Sequence, residues 1–156
     1  MNPQILDHAG IAQRIPHSGR MCLLDALQRW DADQIHCSAV SHHDADNPLR
    51  SAGGLLAPCA IEYAAQAMAL HGALLAPDGA AATPGYLASV RGVKLSVALL
   101  NTVPGALHVH AQRLAGDARQ ILYQFRVSDE QGTSIAEGRA TVVLNTPIPT
   151  PAAAEP

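Results

Sequence analysis

Residues 56–76 read L-A-P-C-A-I-E-Y-A-A-Q-A-M-A-L-H-G-A-L-L-A, a long and almost wholly apolar run whose one carboxylate is Glu62. Pro58 suits the first turn of a helix, and a helix apolar on all sides must be buried on most of its faces. The rest of the chain therefore has to wrap around it. A buried carboxylate is costly unless it is paired, hydrogen-bonded or protonated. Glu62 is expected either to work as an acid or to be satisfied by backbone donors at the helix start. Buried acids with shifted pKa values gather at functional sites, which favours the acid. The run approaches membrane-spanning length, but Glu62, Gln66, His71 and the many alanines point to a central helix rather than a span.

The flanking segments supply the wrapping. Residues 3–14 have weak helical spacing (Ile5, Leu6, Ile11), closed by Pro16, since the residue before a proline avoids the helical region. Residues 21–30 and 34–41 read as two strands joined by a turn at 31–33. Residues 42–56 and 77–84 are too rich in breakers to be anything but loops. From Gly85 the period becomes two. Leu107, Val109 and Ala111 alternate with His108, His110 and Gln112, and Ile121, Tyr123, Phe125 and Val127 alternate with Leu122, Gln124, Arg126 and Ser128. Residues 135–144 make a further strand-like run, with hairpin turns expected at 115–117 and 129–132. The result is an α+β domain over residues 1–145, one long central helix wrapped by a curved antiparallel sheet. The Pro/Ala-rich tail, 146–156, is expected to be disordered. An open sheet edge makes pairing of two such domains the natural completion.

Charge and cysteines narrow the function. The net charge is −3, and the ten basic residues are scattered along the chain, without the footprint of a nucleic-acid binder. The first residues lack a basic region followed by an apolar one, so no secretory leader is expected. Cys22, Cys37 and Cys59 are an odd, widely spaced set, which points to free thiols in the cytoplasm and to neither disulfides nor zinc.

Three stretches carry a family resemblance. Residues 15–25, I-P-H-S-G-R-M-C-L-L-D, are similar to the L-P-H-R-x-P-F-L-L-V-D entry of the 3-hydroxyacyl-acyl carrier protein dehydratases of fatty acid synthesis. Residues 62–66, E-Y-A-A-Q, resemble their E-A-M-A-Q helix. Residues 85–95, followed by V-P-G at 103–105, resemble their strand and P-G-D turn. The first two stretches are more similar still to the ApeP-like accessory dehydratases of aryl polyene biosynthesis. The resemblance implies the hotdog fold and dehydration of 3-hydroxyacyl chains held on the phosphopantetheine of an acyl carrier protein. It also implies a homodimer or a heterodimer with a second hotdog subunit, and needs no cofactor or metal. The fatty acid enzymes carry their catalytic histidine in a G-H-F-P loop before the helix. Here residues 48–58 contain no histidine, and Cys59 replaces the glycine at the helix start.

Such an elimination needs a base for the Cα proton, an acid for the leaving hydroxyl and donors for the thioester oxygen. Glu62 is the candidate acid and His17, in the entry motif, the leading candidate base, with an orienting role as its alternative. His42 and His43, in the loop before the helix, are further candidates, as is a histidine of a partner subunit. The N–H groups of Cys59 and Ala60 at the helix start are the candidate oxyanion donors. Gln66, four residues after Glu62, shares its helix face and either orients the acid or ties the helix to the sheet. His71 is expected to pack in the core. His108 and His110 share a strand face with no third ligand evident, so a metal role is not expected. Arg91 and Lys94 read as surface charge or as phosphopantetheine contacts. Two alternatives stand beside dehydration: a thioesterase using the helix acid alone, and a non-catalytic partner subunit.

Overall fold

The structure is a computed structural model that describes residues 5–76 and 85–144. Seven antiparallel strands form one sheet in the order β1-β2-β3-β5-β6-β7-β4. They are β1 (Leu6–Asp7), β2 (Ala26–Trp30), β3 (Gln34–Ala39), β4 (Gly85–Leu95), β5 (Leu107–Gly116), β6 (Gln120–Ser128) and β7 (Ser134–Leu144). A short helix α1 (His8–Ala12) follows β1, and the long helix α2 (Ala60–Leu75) lies against β3, β5 and β6. The inward positions of these strands, including Ile35, Val109, Tyr123 and Phe125, meet Tyr63, Ala64, Ala67 and Leu70 of α2 in one core. Full burial of each larger apolar side chain contributes about 1.5–3 kcal/mol.

Several sequence expectations shift at their boundaries. The helix expected over 3–14 shortens to α1 because Leu6 and Asp7 pair with Leu27 and Ala26. Asp7 then caps α1 by accepting from the Gly10 N–H at 2.9 Å. The strand expected from residue 21 begins only at Ala26. Its first residues give their backbone groups to side chains instead: Leu23 N–H to Gln66, and the Met21, Cys22 and Leu23 carbonyls to Gln66, His8 and Ser41. The turn expected at 115–117 moves outward, with β5 continuing through Gly116 and Asp117 Oδ1 accepting from the Arg119 and Gln120 N–H groups. The turn at 129–132 holds, with Gly132 at φ 82°. The loop expected at 77–84 and the tail expected at 146–156 lie outside the described residues.

Two features position the start of α2. Residues Ala57–Cys59 form a 3-10 turn that leads directly into it, with Pro58 inside. The loop at 98–103 pins that turn from outside. Leu55 N–H donates to Asn101 Oδ1 (2.8 Å), and its carbonyl accepts from Leu100 N–H (2.7 Å). Ala57 N–H donates to the Ala98 carbonyl (3.0 Å). The far end of the sheet is different. β4 pairs only with β7 among the described strands, and that ladder is interrupted between Leu87 and Ser89 and between Arg91 and Lys94.

Candidate active site

Helix α2 is not covered all round. Tyr63, Ala64, Gln66, Ala67, Leu70 and His71 are buried, while Glu62, Ala65, Ala69, Gly72 and Ala73 line a cleft of about 870 Å³. The opposite wall comes from the sheet, chiefly Leu87, Ile121, Val142 and Leu144. The spacing explains the division: positions 62, 65, 69, 72 and 73 recur at three and four residues and so share one stripe of the helix. Apart from Glu62 the stripe consists of small residues, which leaves room between helix and sheet.

Glu62 and His17 sit together in this cleft. His17 Nε2 lies 3.1 Å from Glu62 Oε1, with the two side chains 26% and 34% exposed. The carboxylate is thus not sealed in the core as the apolar run suggested. It is a partly exposed group satisfied by side chains rather than by helix-start N–H groups. Its second partner is Gln66, whose Nε2 donates to Glu62 Oε1 (3.3 Å) and to the Met21 carbonyl (2.6 Å). The amide oxygen of Gln66 accepts from Leu23 N–H (2.9 Å). Gln66 is fully buried, and its bonds reach the carboxylate and the entry segment before β2 rather than the sheet itself. It steadies the carboxylate and fastens the entry segment that carries His17 to the helix. Ser41 makes a parallel tie, donating to the Leu23 carbonyl while hydrogen-bonded to Tyr63 Oη. His17 Nδ1 is enclosed and has no hydrogen-bond partner, so only Nε2 has a polar neighbour.

The expected oxyanion donors are already committed. Cys59 N–H donates to the Leu56 carbonyl at 2.9 Å, and Ala60 N–H turns back onto Ala57 and Pro58. The 3-10 turn consumes the groups that an abrupt helix start would leave free. The Cys59 thiol is pushed up from its ordinary pKa by burial, the opposite of what a reactive thiolate needs.

The other histidines are spoken for. The rings of His42 and His43 lie 3.8 Å apart, tilted at 40°, and both direct Nε2 at the Val103 carbonyl (3.1 and 2.7 Å). They brace the 98–103 loop and do not reach Glu62's partners. His71 is buried between the Asp31 carbonyl, which accepts from Nε2 (2.7 Å), and Tyr123 Oη, which then donates to Nδ1 (2.8 Å). Burial holds the imidazoles of His42 and His71 below their ordinary pKa. His108 and His110 do find a third ring. His36 of β3 hydrogen-bonds His108 (2.9 Å) and stacks on His110 (4.1 Å). Strand pairing creates this cluster, and spacing within β5 alone gives no sign of it. Among the described residues no three His, Cys, Asp or Glu side chains converge as a metal site. Arg91 and Lys94 lie exposed on β4. Cys22, Cys37 and Cys59 are free thiols.

A second hollow of about 550 Å³ lies beside the entry segment and the 40–48 loop. It contains neither Glu62 nor His17, so the larger cleft is the candidate site.

Comparison with known proteins agrees with the fold. The profile of the ApeP-like family, described as ApeP dehydratase, matches residues 9–151. No curated protein matches the chain. Among solved structures, the dehydratase heterocomplex ApeI:P from Xenorhabdus doucetiae superposes with a TM-score of 0.76 at 23% identity, covering 87% of this chain and 91% of that one. A thioesterase from Haemophilus influenzae superposes at 0.63 and 14% identity, covering 89% and 90%. A hypothetical thioesterase with coenzyme A from Streptococcus pneumoniae superposes at 0.55 and 9%, covering 76% and 84%. The shared architecture is the hotdog fold, one helix wrapped by a curved antiparallel sheet.

Proposed function

Because this chain belongs to the ApeP-like dehydratases, we propose that it removes water from 3-hydroxyacyl thioesters presented on the phosphopantetheine of an acyl carrier protein, in aryl polyene or fatty acid type biosynthesis. The observation that carries the reading is the 3.1 Å contact between His17 Nε2 and Glu62 Oε1 in a largely apolar cleft that Arg14, Arg113 and Asp117 also line. The fatty acid enzymes place their base in the loop before the helix. Here the base comes from the entry segment of the same chain.

A base and an acid in contact are what the elimination requires. With the proton on Glu62, neutral His17 takes the C2 proton of the substrate. The C2 electron pair forms the double bond, the C3–O bond breaks, and the hydroxyl leaves as water with the proton from Glu62. Transfer from imidazolium to carboxylate across the 3.1 Å contact then restores the starting state, so no net proton is consumed. Since the two groups sit side by side, hydrogen and hydroxyl depart from the same face of the substrate.

The thioester oxygen requires donors as enolate character develops, and Cys59 and Ala60 have none to spare. A second hotdog subunit, seated along the free edge of β4 and over the open cleft, supplies them in this reading. The heterocomplex among the structural relatives supports such a partner.

A mass-spectrometric assay with a 3-hydroxyacyl carrier substrate, run alone and with a paralogous hotdog subunit, tests the proposal. Loss of water that falls by about 10²-fold or more in both Glu62→Gln and His17→Ala is the expected result. Release of free acid would point to a thioesterase instead, and unchanged activity of the complex in both variants to a non-catalytic subunit.

A further inference from the structure

The apolar lining of the cleft is broken by a cation that strand periodicity places on the inner face. The inward row of β5 is Leu107, Val109 and Ala111, all buried in the core. Its next member is Arg113, half-buried in the cleft wall. Residues directly opposite on adjacent strands share a face, and Arg113 stands opposite Tyr123 of β6, which is buried. Tyr123 fixes the level, since its Oη reaches His71 Nδ1 at 2.8 Å. His71 follows Glu62 by nine residues, about 13 Å along the helix axis. Arg113 therefore lies well beyond the Glu62–His17 pair, on the same cleft.

Among the described residues no carboxylate answers that charge. The ion pairs there are His17–Glu62, Arg20–Asp46 and His108–Glu130. The backbone N–H of Arg113 donates to the Asp33 carbonyl (2.7 Å), while its guanidinium makes no hydrogen bond to the described residues. Asp117, also on the cleft wall, sits in an exposed turn where Oδ1 accepts from the Arg119 and Gln120 N–H groups. Arg14, the other cation of the cleft, donates to the Gly10 carbonyl at 2.9 Å. Gly116 leaves the guanidinium its space, since a methyl group there would lie 3.0 Å from Arg113 Nη2. A charge drawn partly out of water without a partner is costly. The same guanidinium is a rigid fork of donors that grips a carboxylate or a phosphate at two points.

Every other residue of α2 on the cleft follows Glu62 in the chain, so from the Glu62–His17 pair the cleft leads one way, past Arg113. A thioester reacting at that pair sends one of its two limbs along this path, the acyl tail or the pantetheine arm. We infer that Arg113 binds an anionic group carried on that limb, either a carboxylate ending the acyl chain or the phosphate of the arm. The inference rests on the thioester reading of the cleft.

Four 3-hydroxyacyl thioesters test it: pantetheine and phosphopantetheine, each carrying a chain of the same length that ends in a methyl group or in a carboxylate. Their affinities are measured by calorimetry on the full chain bearing Glu62→Gln, so that no turnover intervenes, with and without Arg113→Gln. At least tenfold tighter binding for a charge on one limb, lost in Arg113→Gln and restored in part by Arg113→Lys, is expected. The limb that responds identifies the anion. Should Arg113→Gln not fold, Arg113→Met, which keeps the apolar stem, replaces it with the same expectation. Equal or absent binding of all four thioesters, or a charge effect that survives in Arg113→Gln, overturns the inference. Water loss is followed in parallel with the unaltered protein. Charge-dependent binding without water loss from any of the four would sink the dehydratase reading and leave the role of Arg113 standing.

Discussion

At the scale of single residues, the site depends on what Gln66 ties together. It is fully buried and connects Glu62 on the helix with Met21 and Leu23 on the entry segment. Removing it strands the Leu23 N–H, at a cost of about 1–3 kcal/mol for an unsatisfied buried polar group. Gln66→Ala is therefore expected to lower the midpoint of denaturant unfolding, and to reduce dehydration further by letting His17 drift from Glu62. Gln66→Glu keeps the shape but replaces the donor with a second carboxylate, and is expected to raise the pH at which activity appears, read from the pH–rate profile. Glu62, Gln66 and His17 were legible in the sequence because a polar group in an apolar helix, and a family motif, stand out by type alone. That Cys59 and Ala60 have no free N–H was not legible. Whether a helix starts abruptly or through a 3-10 turn depends on what pulls the chain before it, and that pull comes from residues 98–101.

At the scale of elements, the same loop sets the direction of α2. Asn101 accepts the Leu55 N–H, and Gly54, at φ 115°, brings the backbone close enough that an added methyl group would lie 2.7 Å from Asn101 Oδ1. Gly54→Ala therefore suffers both an unfavourable backbone conformation and a steric collision. It is expected to destabilise by more than 1 kcal/mol, checked by thermal unfolding, and to impair catalysis through a shifted helix start. The alternation in β5 and β6 gave those strands from residue order alone, since period two is a local signal. The late start of β2 escaped because the backbone groups before it are taken by side chains distant in sequence. The short α1 escaped because Leu6 and Asp7 pair with Leu27 and Ala26, far along the chain. Neither is recorded by a local period.

At the scale of the molecule, four histidines are held neutral by the packed structure. Burial is the main cause at His36, whose pKa drops from 6.5 to about 4, and it also lowers His42, His71 and His110. The unfolded chain binds protons at these rings more readily than the folded one. The contribution of His36 to stability is therefore full above the unfolded value of 6.5 and is lost progressively as pH falls towards about 4, and the other three lose theirs in the same direction. Thermal midpoints are expected to decline across this window, before the carboxylates titrate. His36→Asn is expected to flatten the decline. A midpoint that holds constant from neutral pH to about 4.5 would contradict this account. No helix among the described residues is long and apolar enough to cross a membrane.

The two interruptions of β4, with Gly92 at φ 61° in the second, have a consequence for whatever joins that edge. A smooth strand offers any neighbour a uniform comb of donors and acceptors, which is the template of runaway fibrils. A comb broken twice accepts only a strand whose own breaks fall in phase with it. Recognition at this edge then resembles a key with two notches, cut in backbone geometry, so that a related subunit can be admitted and an arbitrary strand refused without a single side chain being consulted.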